Sequence, residues 1–556
     1  MRKIKVDVSA DEVIGDFIHN WRYIGYDECN YTCAPEGEEL LAKFGRLEDA
    51  PYYFRVHHLL CNGNLHGTYK WGSTNIYTEE DNGNVIYDYK EIDKINDTFI
   101  KHNGIPFFEL GFMPMQLADD GRERIEWEWG SFGEYKAKNW SRPPKDYNKW
   151  RDLIFNLVTH CIRRYGRDEV LKWYWELWNE PDIMYWTGTF EEFCKLYDYT
   201  EDAVHAALPE ARLGGPSTTG PFPGSSSAEF LDRFLVHCRN GVNHVTGKTG
   251  TRLDYITFHV KGGGFPFRIN APKATPSMNS FALQVKTGCD IIMKHGYDNL
   301  EVVLSEADPD GWAAGGRFDN ANMQFRNTEY YASYIACSYN RTERLAKSLN
   351  MDVRPLAWAF MFVAERCFEG TRTFSTQGID KASLNLFKMY AKMGCTEVKF
   401  SSSGTVDELA RFSTDPEVST DPEVSTDTKF STDPEVSGMA ATDENGNVQV
   451  MIYSHHDDWD ISKEAEIVLT IGGLNRQEYK IKHYRIDGKH SNAHEIWLEQ
   501  GSPDYPTEQQ YRVIKAKDQL EKYTSDTIAK PSNGFIKMIF KMPAHAISLI
   551  LFEVIT

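Results

Sequence analysis

Eight short apolar runs alternate with longer amphipathic stretches between residues 20 and 395, and this alternation constrains the fold more than any other feature of the chain. The runs have the length and composition of buried strands. The stretches between them carry apolar residues at helical spacing, as in YNKWRDLIFNLVTHCIRRYG (147–166). The runs are NWRYIGYD (20–27), YYFRVHHLL (52–60), IPFFELGF (105–112), WYWELWNE (173–180), ARLGGP (211–216), LDYITFHV (253–260), LEVVLSEAD (300–308) and PLAWAFMF (355–362).

Buried strands that alternate with helices predict a parallel sheet, and eight of them predict a closed (β/α)8 TIM barrel, here over residues 15–395. That span exceeds the usual ~250 residues of such barrels, so we expect long loops. A doubly wound open sheet is the second fold considered. It is less favoured because no glycine-rich phosphate turn follows any of the eight runs.

The chain changes character after residue 395, where short strand-like runs such as NVQVMIYS and AEIVLTIGGL are separated by turn signals. This pattern predicts an all-β sandwich domain formed by residues 396–556 together with 1–14, where IKVDVS is also strand-like. The segment 413–437 contains STDPEVS three times. Proline and acidic residues bury too little apolar surface to order themselves, so we expect a low-complexity surface loop there.

Charge and hydropathy narrow the classes of partner. The formal net charge of -20 argues against nucleic acid and anionic lipid as partners, and it favours a neutral ligand. The longest apolar run, HAISLILFEVI, is far shorter than the roughly 20 residues that span a bilayer. The N-terminus, MRKIKVDVSADEVIGDF, lacks the apolar run of a secretory signal. These features predict a cytoplasmic protein with no membrane contact.

Two glutamates end buried runs on opposite sides of the predicted barrel. Glu180 closes the fourth run, directly before Pro181, and Glu306 has the same place in the seventh run. Barrel enzymes carry their catalytic groups at the carboxyl ends of strands, where these two side chains would face each other. Glycoside hydrolysis needs one acid that protonates the leaving oxygen and one carboxylate that attacks or activates water. The positions of these two glutamates at strand ends therefore predict a glycosidase rather than two structural ion pairs.

A resemblance to a known family agrees with this interpretation. The motifs RVHHLL, FFELGFMP, PPKDYNKW, ELWNEPD, LDYITFHV and LSEAD resemble those of glycoside hydrolase family 39, the β-xylosidase family of a retaining (β/α)8 clan that also includes α-L-iduronidases. The resemblance covers most of residues 50–395. It implies that Glu180 is the general acid/base, Glu306 the nucleophile and Asn179 a hydrogen-bond donor to the sugar 2-hydroxyl.

The same resemblance implies a larger set of substrate contacts. His57 and His259 would contact the sugar in the cleavage subsite, Trp358 would form a sugar platform, and Glu365 would bind sugar hydroxyls. Arg55 would bind substrate or steady a carboxylate. The implied reaction is a double displacement without metal or cofactor, and the frequent dimers and tetramers of the family imply a homo-oligomer.

Departures from the family pattern bear on the substrate. His58 replaces a glycine, Lys261 stands where many members have tyrosine, and SEADPDGW, at Glu306, stands where they have Glu-Tyr or a similar pair. The favoured activity is an exo-acting β-D-xylosidase that releases xylose from xylo-oligosaccharides, and an α-L-arabinosidase or arabinobiosidase stays open. An iduronidase is less favoured because the chain lacks the basic character expected for a polyanionic substrate.

Two other classes of protein fit parts of the sequence. A non-catalytic carbohydrate-binding protein would keep the tryptophans, although it would not need both glutamates. A metal-dependent barrel lyase or isomerase would need ligands at several strand ends, and His57, Glu109 and His259 form such a set. Loss of activity in chelator would favour the second of these classes.

Overall fold

The predicted barrel is present. A computed structural model of the chain describes residues 2–63, 72–119, 121, 139–263, 276–311, 316–318, 320–407 and 433–555. Its eight parallel strands form a closed barrel in which the first strand pairs with the second and with the eighth. The strands are Tyr23–Tyr26, Tyr52–Val56, Gly104–Leu110, Tyr174–Leu177, Arg212–Thr218, Tyr255–Lys261, Glu301–Asp308 and Val353–Trp358. Each lies within or overlaps one of the eight predicted runs.

The helices around the barrel begin at polar caps and bury one apolar face. Helix Tyr147–Tyr165 begins after Asp146, whose carboxylate accepts two backbone N–H groups. The helix after the fourth strand begins with a complete capping box between Thr189 and Glu192. The helices of this domain are Pro35–Gly45, Lys90–Lys101, Tyr147–Tyr165, Arg167–Val170, Phe190–Ala207, Ser226–Asn240, Met278–Lys294, Glu329–Leu349 and Ala382–Tyr390.

Short elements line the loops of the barrel. They are the 3-10 helices Cys29–Cys33, Asn139–Ser141 and Ala321–Asn327, and the two-stranded pairs Tyr77–Glu79 with Val85–Tyr87 and Ser375–Thr376 with Ile379–Asp380. They account for part of the length by which this domain exceeds a minimal barrel.

The second unit is a β-sandwich whose ten strands form one continuous, mostly antiparallel sheet around its own apolar core. The N-terminal strand Arg2–Asp16 pairs antiparallel with Thr396–Ser402 and parallel with Glu464–Gly472, so both chain ends build this domain. The remaining strands are Glu435–Thr442, Val448–His455, Tyr479–Ile486, Glu521–Lys522, Thr527–Ala529, Ile536–Pro543 and Ala546–Val554.

Two details of the second unit differ from the sequence prediction. The loop predicted for 413–437 ends earlier, because Glu435–Thr442 is a strand whose Val436 is fully buried in the sandwich core. Residues 413–432 of that predicted loop lie outside the described part of the chain. The domain also contains helices Ala493–Glu499 and Glu508–Lys515, so it is not purely β.

Helix Glu329–Leu349 joins the two units. Its Arg341 forms a buried ion pair of 2.6 Å with Glu435 of the sandwich, and Asn340 donates to the Gly438 carbonyl at 3.1 Å. Within the described ranges, no helix combines the length and the hydropathy needed to cross a bilayer.

Candidate active site

Glu180 lies in a tight turn after the fourth barrel strand. The residues Trp178 and Glu180 both have positive φ, +67° and +47°, which is uncommon for side chains of this size. The Glu180 backbone N–H donates to the Ser217 carbonyl at 2.8 Å, which ties this turn to the fifth strand. The Glu180 side chain is 16% exposed, so a substrate can reach it.

Glu306 lies on the seventh strand and is almost fully enclosed. Lys261 donates to Glu306 Oε2 at 2.6 Å, and His57 Nε2 lies 3.4 Å from Oε1. Burial by itself raises the pKa of Glu306. The neighbouring His259, Lys261 and His57 side chains outweigh burial and hold that pKa well below its usual range. Glu306 is therefore ionised at neutral pH, as a nucleophile must be.

The two glutamates meet across His259. His259 Nδ1 lies 2.8 Å from Glu180 Oε1 and 3.7 Å from Glu306 Oε2. One oxygen of Glu180, one oxygen of Glu306 and a nitrogen of His259 all lie within 4.8 Å of one another. Barrel closure thus brings together two carboxyl groups that end strands on opposite sides of the barrel.

A network of buried charged side chains lies next to this pair. Arg55 Nε donates to Glu176 at 2.5 Å, and the guanidinium also lies 3.0 Å from Glu109. Glu109 in turn lies 2.6 Å from His57 Nδ1. Burial disfavours a charged His57, but Glu109 raises the His57 pKa to about 10, so the ring carries a positive charge towards Glu306 at neutral pH.

Replacing Arg55 with Met should destabilise the fold strongly. Arg55, Glu109 and Glu176 have no exposed surface, so the change leaves two buried carboxylates without their shared cation. Breaking such a buried network costs about 3–5 kcal/mol. Urea denaturation followed by fluorescence measures the loss. Arg164→Met is the control, because its ion pair with Asp97 is 41% and 46% exposed and is worth about 1 kcal/mol at most. Equal shifts in both variants would contradict the prediction.

Asn179 is held by the buried arginine, and its predicted bond to the sugar 2-hydroxyl stays a prediction. Arg55 donates to Asn179 Oδ1 at 3.0 Å, so the amide NH2 group points away from Arg55. Trp358 ends the eighth strand and packs on Arg55 and His57, with ring distances of 5.3 and 4.6 Å. Its side chain is only 1% exposed, which leaves little surface for a sugar to stack on in this conformation. A Cβ on Gly25 would lie 2.4 Å from the ring, so only glycine fits beneath it.

Glu365 is buried and accepts a hydrogen bond from the backbone of its own loop. Its Oε2 accepts from the Gly370 N–H at 2.8 Å, inside the loop that follows the eighth strand. The positive charge of Lys381 acts on Glu365, and Lys381 also donates to the Gly370 carbonyl at 2.6 Å. Burial raises the pKa of Glu365. Its predicted contact with sugar hydroxyls stays a prediction.

Several site residues were missed in the sequence. Asp308 accepts from Lys261 at 2.7 Å and from Arg372 at 3.2 Å, and Asp27 lies 3.8 Å from Arg372. Asp27 and Asp308 had a usable signal, because each ends a predicted strand. Arg372 had none, because it lies in a loop well beyond the eighth strand. Trp312, the last residue of SEADPDGW, lies outside the described residues.

Two groups of side chains in the described residues have the spacing of metal ligands. One is Glu180, His259 and Glu306. The other is Asp198 and His237, on two outer helices, with His244 in the turn that follows the second of them. In the second group Asp198 accepts from both imidazoles, at 2.9 and 2.7 Å, so its carboxylate is satisfied by hydrogen bonds. The set His57, Glu109 and His259, considered above for a metal-dependent enzyme, has His57 and Glu109 hydrogen-bonded to each other.

Comparison with known proteins agrees with this geometry. The family model described as "Glycosyl hydrolases family 39" matches residues 4–531. A β-xylosidase of Caldicellulosiruptor saccharolyticus is 24% identical over 457 residues, which cover 80% of this chain and 78% of the relative. The α-L-iduronidase of Homo sapiens is 40% identical over 179 residues, which cover 32% of this chain and 24% of the relative.

Solved structures show the same fold. A monomeric β-xylosidase from Caulobacter crescentus superposes with a TM-score of 0.77 at 21% identity, with all of both chains covered. Since the family model spans nearly the whole chain and the two-domain fold matches, this protein belongs to glycosyl hydrolase family 39.

Proposed function

We propose that this glycoside hydrolase is a retaining, exo-acting β-D-xylosidase. The approach of the two carboxyl groups supports retention: one oxygen of Glu180 and one oxygen of Glu306 lie within 4.8 Å of each other, which leaves little room between them for a water molecule. Retaining enzymes place their carboxyl groups about 5–5.5 Å apart, whereas inverting enzymes need about 6.5–9.5 Å to admit a water molecule. This spacing is the observation that carries the mechanism.

The first step forms a covalent intermediate. Glu306, ionised between Lys261 and His57, attacks the anomeric carbon as the bond to the leaving oxygen breaks. Glu180 gives its proton to that oxygen, and the aglycone leaves as an alcohol. Asn179 donates to the 2-hydroxyl, a contact that strengthens in the transition state of such enzymes.

The second step hydrolyses the intermediate. Glu180, now a carboxylate, takes a proton from water, and the water oxygen attacks the anomeric carbon. Glu306 leaves as a carboxylate and regains its bonds to Lys261 and His57. Two inversions give net retention, and Glu180 ends the cycle protonated.

Two measurements test the mechanism and the substrate. Nitrophenol release is compared for aryl β-D-xyloside, α-L-arabinoside, β-D-glucoside and α-L-iduronide, and proton NMR identifies the first anomer released. We expect fastest cleavage of the xyloside, with β-xylose appearing before α-xylose. Initial release of the α-anomer would overturn retention. Faster cleavage of the arabinoside would instead support the arabinosidase alternative.

One observation favours a second candidate, a glycosidase for a sugar that carries a carboxylate. Lys261 and Arg372 both lie at Asp308, beside the nucleophile, and Lys261 stands where many members of the family have a tyrosine. Xylose has no group that needs such cations. The α-L-iduronide arm of the panel tests this candidate directly, and it would replace the xylosidase proposal if that substrate were cleaved fastest.

Replacing Lys261 with Met should move the acidic limb of the rate profile to higher pH. Activity requires ionised Glu306 and is lost as the pH falls through its pKa. Lys261 is one of the groups that hold that pKa down, so its removal raises the pKa. The measurement is kcat/KM against pH.

Lys286→Met is the control for this prediction, because Lys286 pairs with Asp290 on an outer helix. An acidic limb that stays in place in Lys261→Met would contradict the assigned role of Lys261.

Assembly is a separate question. A homo-oligomer is expected from the family, but the Caulobacter crescentus relative is described as monomeric. Light scattering of the purified protein distinguishes these states, and the proposed mechanism needs residues from one chain only.

A further inference from the structure

Ser217 forms a link between the buried arginine and the acid/base. It lies on the fifth barrel strand and has no exposed surface. Arg55 donates to Ser217 Oγ at 3.0 Å, and the same oxygen lies 3.1 Å from His259 Nε2. The other nitrogen of His259 lies 2.8 Å from Glu180 Oε1. Three hydrogen bonds therefore connect Arg55 to Glu180.

The direction of these bonds follows from the chemistry of the donors. A guanidinium only donates, so Ser217 Oγ is an acceptor towards Arg55 and must place its own proton elsewhere. Its two neighbours are His259 Nε2 at 3.1 Å and Ser305 Oγ at 3.4 Å. The imidazole nitrogen is the nearer, and a neutral imidazole nitrogen is a good acceptor. A lone pair on Nε2 places the ring proton on Nδ1, which faces Glu180.

We propose that Ser217 is a positioning residue that holds His259 in its Nδ1–H tautomer and thereby keeps the acid proton of Glu180 on the oxygen that faces the leaving group. The inference rests on the proposed role of Glu180. With the proton on Nδ1, His259 donates to Oε1, and the acid proton sits on Oε2. With the proton on Nε2, His259 would instead offer Glu180 a lone pair at 2.8 Å and would accept the proton meant for the leaving oxygen.

The hydrogen-bond partners on both sides of the ring fit this tautomer. In the proposed mechanism Glu180 carries the acid proton before the first step, and its Oε1 accepts from Nδ1–H. The remaining carboxylate, Glu306, is 3.7 Å from Nδ1 and is already paired with Lys261.

The kinetic test compares wild type with Ser217→Ala on aryl β-xylosides of decreasing leaving-group acidity. We expect about a 10-fold loss of kcat/KM for poor leaving groups, a part of the 10²–10⁴-fold that general acid catalysis supplies. Cleavage of the dinitrophenyl substrate, which needs no proton, should stay unchanged. An equal loss along the whole series, or no loss, would overturn the proposal.

Two further variants serve as a second test and as a control. Ser217 has a φ of +56°, so Ser217→Gly removes the hydroxyl while relieving the backbone, and it should reproduce the effect even if the alanine variant folds poorly. Ser305→Ala removes a hydroxyl that is equally buried but leaves the bond from Ser217 to His259 in place. It should keep the wild-type dependence on the leaving group.

A spectroscopic test does not depend on activity. In protein labelled with ¹⁵N-histidine, the His259 signals are assigned by their loss in His259→Gln. We expect Nδ1 protonated and Nε2 unprotonated in wild type. Protons on both nitrogens, or on Nε2 alone, would overturn the tautomer assignment. If Glu180→Gln kept full activity on poor leaving groups, the assigned role of Glu180 would fail while the tautomer is still measured.

Discussion

Replacing Glu306 with Gln is expected to lower kcat by at least about four orders of magnitude on every substrate, because the chain then lacks its nucleophile. The amide is nearly the same size but cannot form the glycosyl ester. It also loses the charge that Lys261 and His57 stabilise. The measurement is steady-state kinetics on the preferred aryl glycoside, with the dinitrophenyl leaving group included. Activation of the leaving group should not restore the rate, since the attacking group itself is absent.

Azide distinguishes loss of the nucleophile from general damage to the site. In Glu306→Ala the anion can occupy the space of the lost carboxylate and attack directly, and the product should be the glycosyl azide of inverted configuration. Glu301→Gln is the matched control, because Glu301 lies at the other end of the same strand and pairs with Arg354 at 2.9 Å. A rate in Glu306→Gln close to that of the control would remove Glu306 from the mechanism.

Replacing Glu180 with Ala should have a large effect that depends on the leaving group. Loss of the general acid costs about 10²–10⁴-fold on substrates that need protonation, and much less on a dinitrophenyl glycoside. With the activated substrate the second step becomes limiting, because no base remains to activate water. Azide needs no base, so it should accelerate turnover and give the β-glycosyl azide, with retention.

The opposite configurations of the two azide products separate the two roles. Glu191→Gln is the control for Glu180→Ala, since Glu191 pairs with Arg233 at 3.0 Å on the outer face of the barrel. A uniform loss of rate in Glu180→Ala, with no azide product, would assign Glu180 a structural role only.

Much of the fold and the central pair could be predicted from sequence. The eight barrel strands were predicted because a strand buried on both faces is an apolar run of characteristic length, which is a local property. Glu180 and Glu306 were found because an acidic residue at the end of such a run is conspicuous. The register of each strand then decides that these ends share one rim.

The contacts that tune the pair were decided only by the tertiary structure. His57, Lys261 and Arg372 reach the Glu306 and Asp308 carboxylates from three separate parts of the chain. The exposure of Trp358 and the position of Glu365 also depend on loops. The conformation of these loops cannot be predicted from a local sequence pattern.

The carboxyl pair could be found in the sequence, whereas the role of Ser217 could not. By itself, the sequence determined the barrel, the sandwich with its N-terminal strand, and the two carboxyl groups, because periodicity and strand ends are properties of neighbouring residues. The tertiary structure alone decided how protons and charges are held around those groups. Hydrogen bonds such as those of Ser217 join atoms that barrel closure brings within about 3 Å, although their residues are far apart in the chain.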